Sequence, residues 1–201
     1  MTDIRFPVRP TLAGAVWPEK QSANARAMRA VLLALVGTGI LTLSAKIAVP
    51  FVPVPMTLQS LAVLLIGAVF GARLGSATVA LYLVEGAIGL PVFTGTPAHG
   101  IGLAYMAGST GGFLAGFVVA AALVGWFAER GADHSFARLL GAMVLGEIAI
   151  FGLGYVWLAH LIGSDAALNY GVLPFIPGDI VKTALAALLV PALWSALAKA
   201  R

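Results

Sequence analysis

The chain has 201 residues, 60% of them hydrophobic and only 10% charged, with a formal net charge of +4. A soluble domain carries about a quarter charged residues, so this composition excludes a water-covered globule and fits a surface that faces lipid tails. The absence of cysteine excludes disulfides, thiolate zinc sites, iron–sulfur clusters and cysteine nucleophiles, and the positive balance matches a cytoplasmic membrane face without any nucleic-acid partner.

Residues 1–27 hold prolines and arginines and no apolar run. They are expected to form a loosely ordered cytoplasmic arm, with residues 28–201 as a single membrane domain. No cleavable signal is read here: the first apolar run begins only near Ala30, and cleavage after Ala45 would put Leu43 where a small residue belongs. A helical span needs about 17–25 mainly apolar residues. The chain supplies six: 28–47, 56–72, 74–90, 110–127, 139–162 and 180–197. The fold class is therefore an all-α, six-helix membrane bundle. The second and third spans run into one another, and Arg73 with Gly71 and Gly75 marks the turn between them.

Orientation follows from the basic residues. Placing both termini inside puts Arg5, Arg9, Lys20, Arg26, Arg29, Arg73, Arg130, Arg138, Lys199 and Arg201 on one side, ten of the 12 Lys and Arg. Only Lys46 and Lys182 remain for the other side. With that direction set, Thr57, Gln59 and Ser60 open the second span from outside. Glu85 ends the third, Tyr155 and His160 lie in the outer half of the fifth, and Asp179 and Lys182 open the sixth.

The outer connections match this polarity. Residues 47–57 are Pro-rich and apolar, and residues 89–109 are long, Gly-rich and free of Lys and Arg. A long loop too apolar for disorder reads as a lid or pocket wall.

Each candidate has a plain alternative. Asp179 and Lys182 stand three apart on one helical face; they are ligand contacts or a private ion pair. Glu147 is a charge well inside a span, which is costly and therefore functional or paired; a protonated interhelical hydrogen bond is the alternative. Glu85 is a site residue or a solvated acid at headgroup level. Lys46 reads as an interface anchor whose ammonium snorkels outward. Tyr105, Tyr155, Trp157 and Trp194 fit an aromatic belt, His160 is interfacial and His99 a loop histidine. Ala30, Ala34, Thr38 and Thr42 recur every four residues along the first span, a spacing that lets another helix approach closely. The alternative is packing against the chain's own helices.

No phosphate-cradling G-x-x-x-x-G-K-[ST] loop, G-x-S-x-G elbow or H-E-x-x-H helix occurs. The residues alone describe an outward-facing small-molecule binder without a motor of its own.

Three stretches carry a resemblance: Pro53-VPMTLQSLAVLLIGAVFGARLG-Ser76, Leu81-YLVEGAIGLPVFTG with the later Gly108-STGGFLAGF, and Pro177-GDIVKTALAALLVPALW-Ser195. Together they resemble the BioY family, the biotin-binding S-components of energy-coupling factor (ECF) transporters. The resemblance spans roughly residues 28–197 and is most specific at PVPMTLQ, GLPVF and PGDIVK. It implies the six-helix S-component fold and capture of biotin outside a bacterial cytoplasmic membrane. It also implies an energy module of other chains, a transmembrane coupling protein and two ATPases. ATP is then used by those partners, and this chain binds no cofactor or metal. The family's small-residue contact with the coupling protein maps onto Ala30 and Ala34, with Thr38 next in the row. Asp179 and Lys182 are the first biotin contacts to carry over. Gln59, Thr57, Tyr155 and Tyr105 could add hydrogen bonds, and Phe93, Pro91 and Met106 apolar walls. Glu85 would repel the ligand's carboxylate unless it faces the ureido end or points away. Whether the chain also forms an oligomer of itself is left open. Two other readings stand beside this one: a stand-alone ion-coupled carrier or channel, and a serine hydrolase using Ser109 with His99 or His160.

Overall fold

The computed structural model describes residues 9–18, 22–98 and 100–199; Arg5, Lys20, His99 and Arg201 lie outside them. The described residues form helices α1 (Leu12–Val16), α2 (Ala23–Lys46), α3 (Gln59–Ala87), α4 (Gly102–Met106), α5 (Gly111–Ala128), α6 (Phe136–Ile162), α7 (Ser164–Gly171) and α8 (Ile176–Lys199). Five of these, α2, α3, α5, α6 and α8, are long and apolar enough to cross a membrane. A short ladder, β1 (Ala48–Val49) with β2 (Met56–Thr57), folds the Pro-rich connection back on itself, pairing Ala48 with Thr57.

Helix α3 is two limbs rather than one rod. Gly71 has φ 82° and ψ 177°, a left-handed extended conformation that only glycine adopts cheaply. In a straight helix Gln59 and Tyr82 would stand about 35 Å apart, yet Gln59 Nε2 donates to Tyr82 Oη at 2.8 Å. A Cβ on Gly75 would lie 3.1 Å from Gly67 Cα. The chain therefore reverses at Gly71, and the two limbs lie antiparallel. The turn read at Arg73 is real but is made two residues earlier. Glu129 at the end of α5 secures it, its Oε1 accepting from the Ala72 amide at 2.9 Å.

Helix α5 occupies the centre, between α3 and α6. Its small residues allow near contact of backbones. A Cβ on Gly116 would sit 2.7 Å from Ile150 Cα on α6, and one on Gly67 of α3 would sit 2.7 Å from the Ala121 carbonyl oxygen. In lipid, where apolar side chains gain nothing by leaving the solvent, such close packing is a main source of helix association.

Two expectations change at the N-terminal end. Residues 9–18 are ordered: Thr11 caps α1 through the Gly14 amide at 3.1 Å, Leu12 and Ala13 are buried, and the Arg9 amide donates to the Glu129 carbonyl at 2.8 Å. Helix α2 also starts at Ala23, before the predicted residue 28. The small-residue row along α2 turns partly inward. Thr38 is buried, Ala30 and Ala34 are half-buried, and Val31, Leu35 and Leu43 take the exposed face. Thr38 is therefore buried within the chain and offers little surface to another chain.

Candidate substrate-binding site

The polar residues predicted for the outer ends of the spans converge at one end of the bundle. Helix α8 begins earlier than predicted, with Pro177 in its first turn, where its missing N–H costs nothing. Asp179 also falls in that turn, favoured there by the positive end of the helix dipole. The first limb of α3 starts at Gln59, whose amide is held by the Thr57 hydroxyl at 3.1 Å.

These two helix starts meet in a charged node. Lys182 Nζ contacts Asp179 Oδ1 at 2.5 Å, the Thr57 carbonyl at 2.9 Å and Ser60 Oγ at 3.2 Å. Ser60 donates to the same Asp179 oxygen at 2.8 Å. The side chains of the pair are only 11% and 7% exposed. A carboxylate and an ammonium can lie this deep because each satisfies the other and both find further polar partners.

Beside this node, Tyr82 Oη receives the Gln59 hydrogen bond and donates to the Val92 carbonyl at 3.1 Å. Thr94 Oγ1 reaches Gln59 Oε1 at 3.3 Å and the Ala45 carbonyl at 3.0 Å. The network fixes the aromatic wall. Phe93 stacks on Tyr105 with centroids 4.9 Å apart at 18° and meets Tyr82 edge-on at 5.3 Å. Burial pushes the Tyr105 phenol above its ordinary pKa, tempered by the Thr110 and Thr94 hydroxyls, so it stays a neutral hydrogen-bonding group at neutral pH.

Node and wall border a small cavity at this end of the bundle, open on one side. Asp179, Lys182, Gln59, Thr57, Tyr105 and Phe93 line it. The other four candidates do not. Tyr155 and Met106 pack against the core behind it, Pro91 is exposed, and Glu85 is half-buried on the second limb of α3. Sequence reasoning missed Ser60 as part of the node, Thr94 next to Phe93, and the aromatic rings of Phe113, Phe151 and Phe175. A serine one place past Gln59 in an apolar span was a usable signal. The aromatic rings carried none, because an apolar span is full of such residues.

The long 89–109 connection supplies Phe93, Thr94 and Tyr105 as a wall, as expected of a lid or pocket side, but it includes α4. Lys46 is exposed, and its Nζ also donates to the Pro91 and Phe93 carbonyls, each at 2.8 Å. Trp157 donates to the Gly108 carbonyl at 2.8 Å and Trp194 to Asp133 Oδ2 at 2.7 Å, so both tryptophans have specific partners within the chain. Ser109 donates to the Pro53 carbonyl at 2.7 Å, a tie between loops rather than a nucleophile's contact with a base. Glu147 makes the interhelical bond considered for it, accepting from Thr183 Oγ1 at 3.3 Å. Its Oε2 has no hydrogen-bond partner among the described residues.

Apolar helices around a half-open cavity, mostly apolar with one charged pair, define a multi-pass membrane protein with a candidate small-molecule site at one end. The overall fold agrees with the crystal structure, at 2.1 Å, of the S-component for biotin from an ECF-type ABC transporter. The TM-score is 0.75 at 26% sequence identity, covering 88% of this chain and 95% of that one. The chain belongs to the BioY family, whose model matches residues 18–199. It is similar to the biotin transporter BioY of Rhizobium etli, 39% identical over 151 residues, 71% of this chain and 79% of that protein. It is also similar to the biotin transporter BioY of Thermotoga maritima, 36% identical over 163 residues, 81% of this chain and 94% of the other. Membership makes this chain a non-enzymatic transporter subunit.

Proposed function

We propose that the chain captures biotin from outside a bacterial cytoplasmic membrane and releases it inward as the substrate-specific subunit of an ECF transporter. In this reading α2, the two limbs of α3, α5, α6 and α8 make six crossings with both termini inside. The cavity then opens outward, at the end that carries Lys46 and Lys182. A transmembrane coupling protein, meeting α2 at Ala30 and Ala34, and two ATPases supply the energy, and the chain itself holds no cofactor.

The observation that carries the reading is the Asp179–Lys182–Ser60 node beside the Phe93–Tyr105 wall in one cavity. Biotin is a compact bicycle with a thioether, a ureido group with two N–H donors and one carbonyl, and a carboxylate tail. Asp179 accepts from a ureido N–H, Lys182 meets an anionic or carbonyl oxygen, and the aromatic rings hold the bicycle. Glu85, outside the cavity, leaves the carboxylate unopposed there.

Titration calorimetry of the detergent-purified chain tests capture: saturable biotin binding supports it, and no heat above that of a non-ligand vitamin refutes it. Uptake into proteoliposomes with and without the coupling protein and ATPases tests the rest. A second reading, a stand-alone ion-coupled carrier, draws on buried Glu147 with its unpartnered oxygen. Biotin uptake by the chain alone, driven by an ion gradient, would select it.

A further inference from the structure

We infer that Lys46 is a positioning residue whose ammonium holds the 91–96 segment as the fixed wall of the cavity and so sets how long a ligand stays. The inference rests on the reading of that cavity as the biotin site. Lys46 ends α2 and lies outside the cavity lining. Its Nζ donates to the Pro91 and Phe93 carbonyls at 2.8 Å each, to Thr96 Oγ1 at 3.1 Å and to the Thr96 carbonyl at 3.4 Å. A lysine ammonium has three donors, so these oxygens take up its whole capacity.

The segment that supplies them has neither helix nor strand, and residues 89–98 carry no charge. Its carbonyl oxygens and the Thr96 hydroxyl turn toward Lys46, while the side chains of Phe93 and Thr94 turn the other way. Phe93 is 1% and Thr94 7% exposed, and both line the cavity. The neighbouring residue of α2 grips the same segment, since the Ala45 carbonyl accepts from Thr94 Oγ1. Consecutive residues at the end of one helix thus hold the backbone and one side chain of the wall. The lysine is the charged and more exposed of the two attachments, and the Thr94 bond the buried one. A lysine that served only as a membrane anchor would extend into water and leave these carbonyls to solvent.

The test compares wild type, Lys46→Met and Lys46→Arg in detergent. Without ligand, hydrogen exchange of amides 92–96 is expected to quicken about tenfold in Lys46→Met, with α5 unchanged. Biotin release is expected to quicken by a similar factor with little change in association, since affinity changes at one site fall mainly on dissociation. Lys46→Arg keeps the charge and donors and is expected to restore both rates most of the way. Unchanged exchange in Lys46→Met would overturn the clamp itself. Faster exchange with unaltered biotin release would overturn its role in ligand residence. Equal defects in Lys46→Arg and Lys46→Met would show that a charged donor at this place is not what holds the segment, and would also overturn the inference. If wild type binds no biotin, the transport reading fails on its own, and the exchange measurement still decides whether the clamp exists.

Discussion

Replacing Lys182 with Gln separates the structural work of the charged node from its work on the ligand. The change removes the ammonium from Asp179, Ser60 and the Thr57 carbonyl at once. Asp179, 7% exposed at its side chain, then keeps one donor, Ser60. Removing one partner of a buried pair costs about 3–5 kcal/mol, chiefly because the other charge is left uncompensated. The single variant should therefore melt well below wild type in a thermal scan. Adding Asp179→Asn removes the stranded charge, and the double variant should regain most of that loss. Ligand affinity should not recover with it. A hydrogen bond to a charged group contributes about 1.5–3 kcal/mol, so each lost contact with biotin weakens binding about 10- to 150-fold. Stability would return while calorimetric affinity stays low, and Lys182→Gln would also narrow the preference for biotin over its uncharged amide. A double variant that binds biotin nearly as tightly as wild type would show the node to be a private ion pair and refute its role in capture.

Four further outcomes are expected. A reporter fused after Arg201 should work only in the cytoplasm and one inserted near Thr96 only outside; the reverse pattern would overturn the orientation drawn from the basic residues. Gly116→Leu should lower thermal stability by about 1–3 kcal/mol or more through overpacking against Ile150, whereas Gly152→Leu, with open space around it, should not; equal melting of the two would discount the close α5–α6 approach. Ala34→Trp should leave biotin binding of the isolated chain intact and weaken assembly with the coupling protein, as judged by co-purification; loss of biotin binding with intact assembly would mean the face is misassigned. Burial pushes the Asp133 carboxyl above its ordinary value, opposed by the Trp194 indole N–H and the charges of His134 and Arg9. Folding therefore favours its protonated form, and this group's contribution is full below about pH 4 and lost as pH rises through the raised value. Asp133→Asn should flatten that part of the melting-temperature profile, and an unchanged slope would place the effect elsewhere.

The sequence by itself determined the solvent this chain lives in, because one charged residue in ten cannot cover a protein in water. It also placed the apolar spans to within a few residues and located the reversal near Arg73, since length in a bilayer and glycine in a turn act locally. Asp179 and Lys182 were legible for the same reason, as two charges one helical turn apart in an apolar run. Partners far apart in the chain were not legible. Ser60 joins Asp179 across 119 residues, and Lys46 reaches Thr96 across 50. Such pairings arise only when α3 folds back at Gly71 and α8 docks beside its first limb. The same lysine that sequence alone reads as a snorkelling anchor becomes a clamp once three carbonyl oxygens are brought within reach of its ammonium. Which face of α2 is free was likewise a tertiary decision: of the small residues that could admit another helix, folding buries Thr38 and leaves Ala30 and Ala34 half-buried.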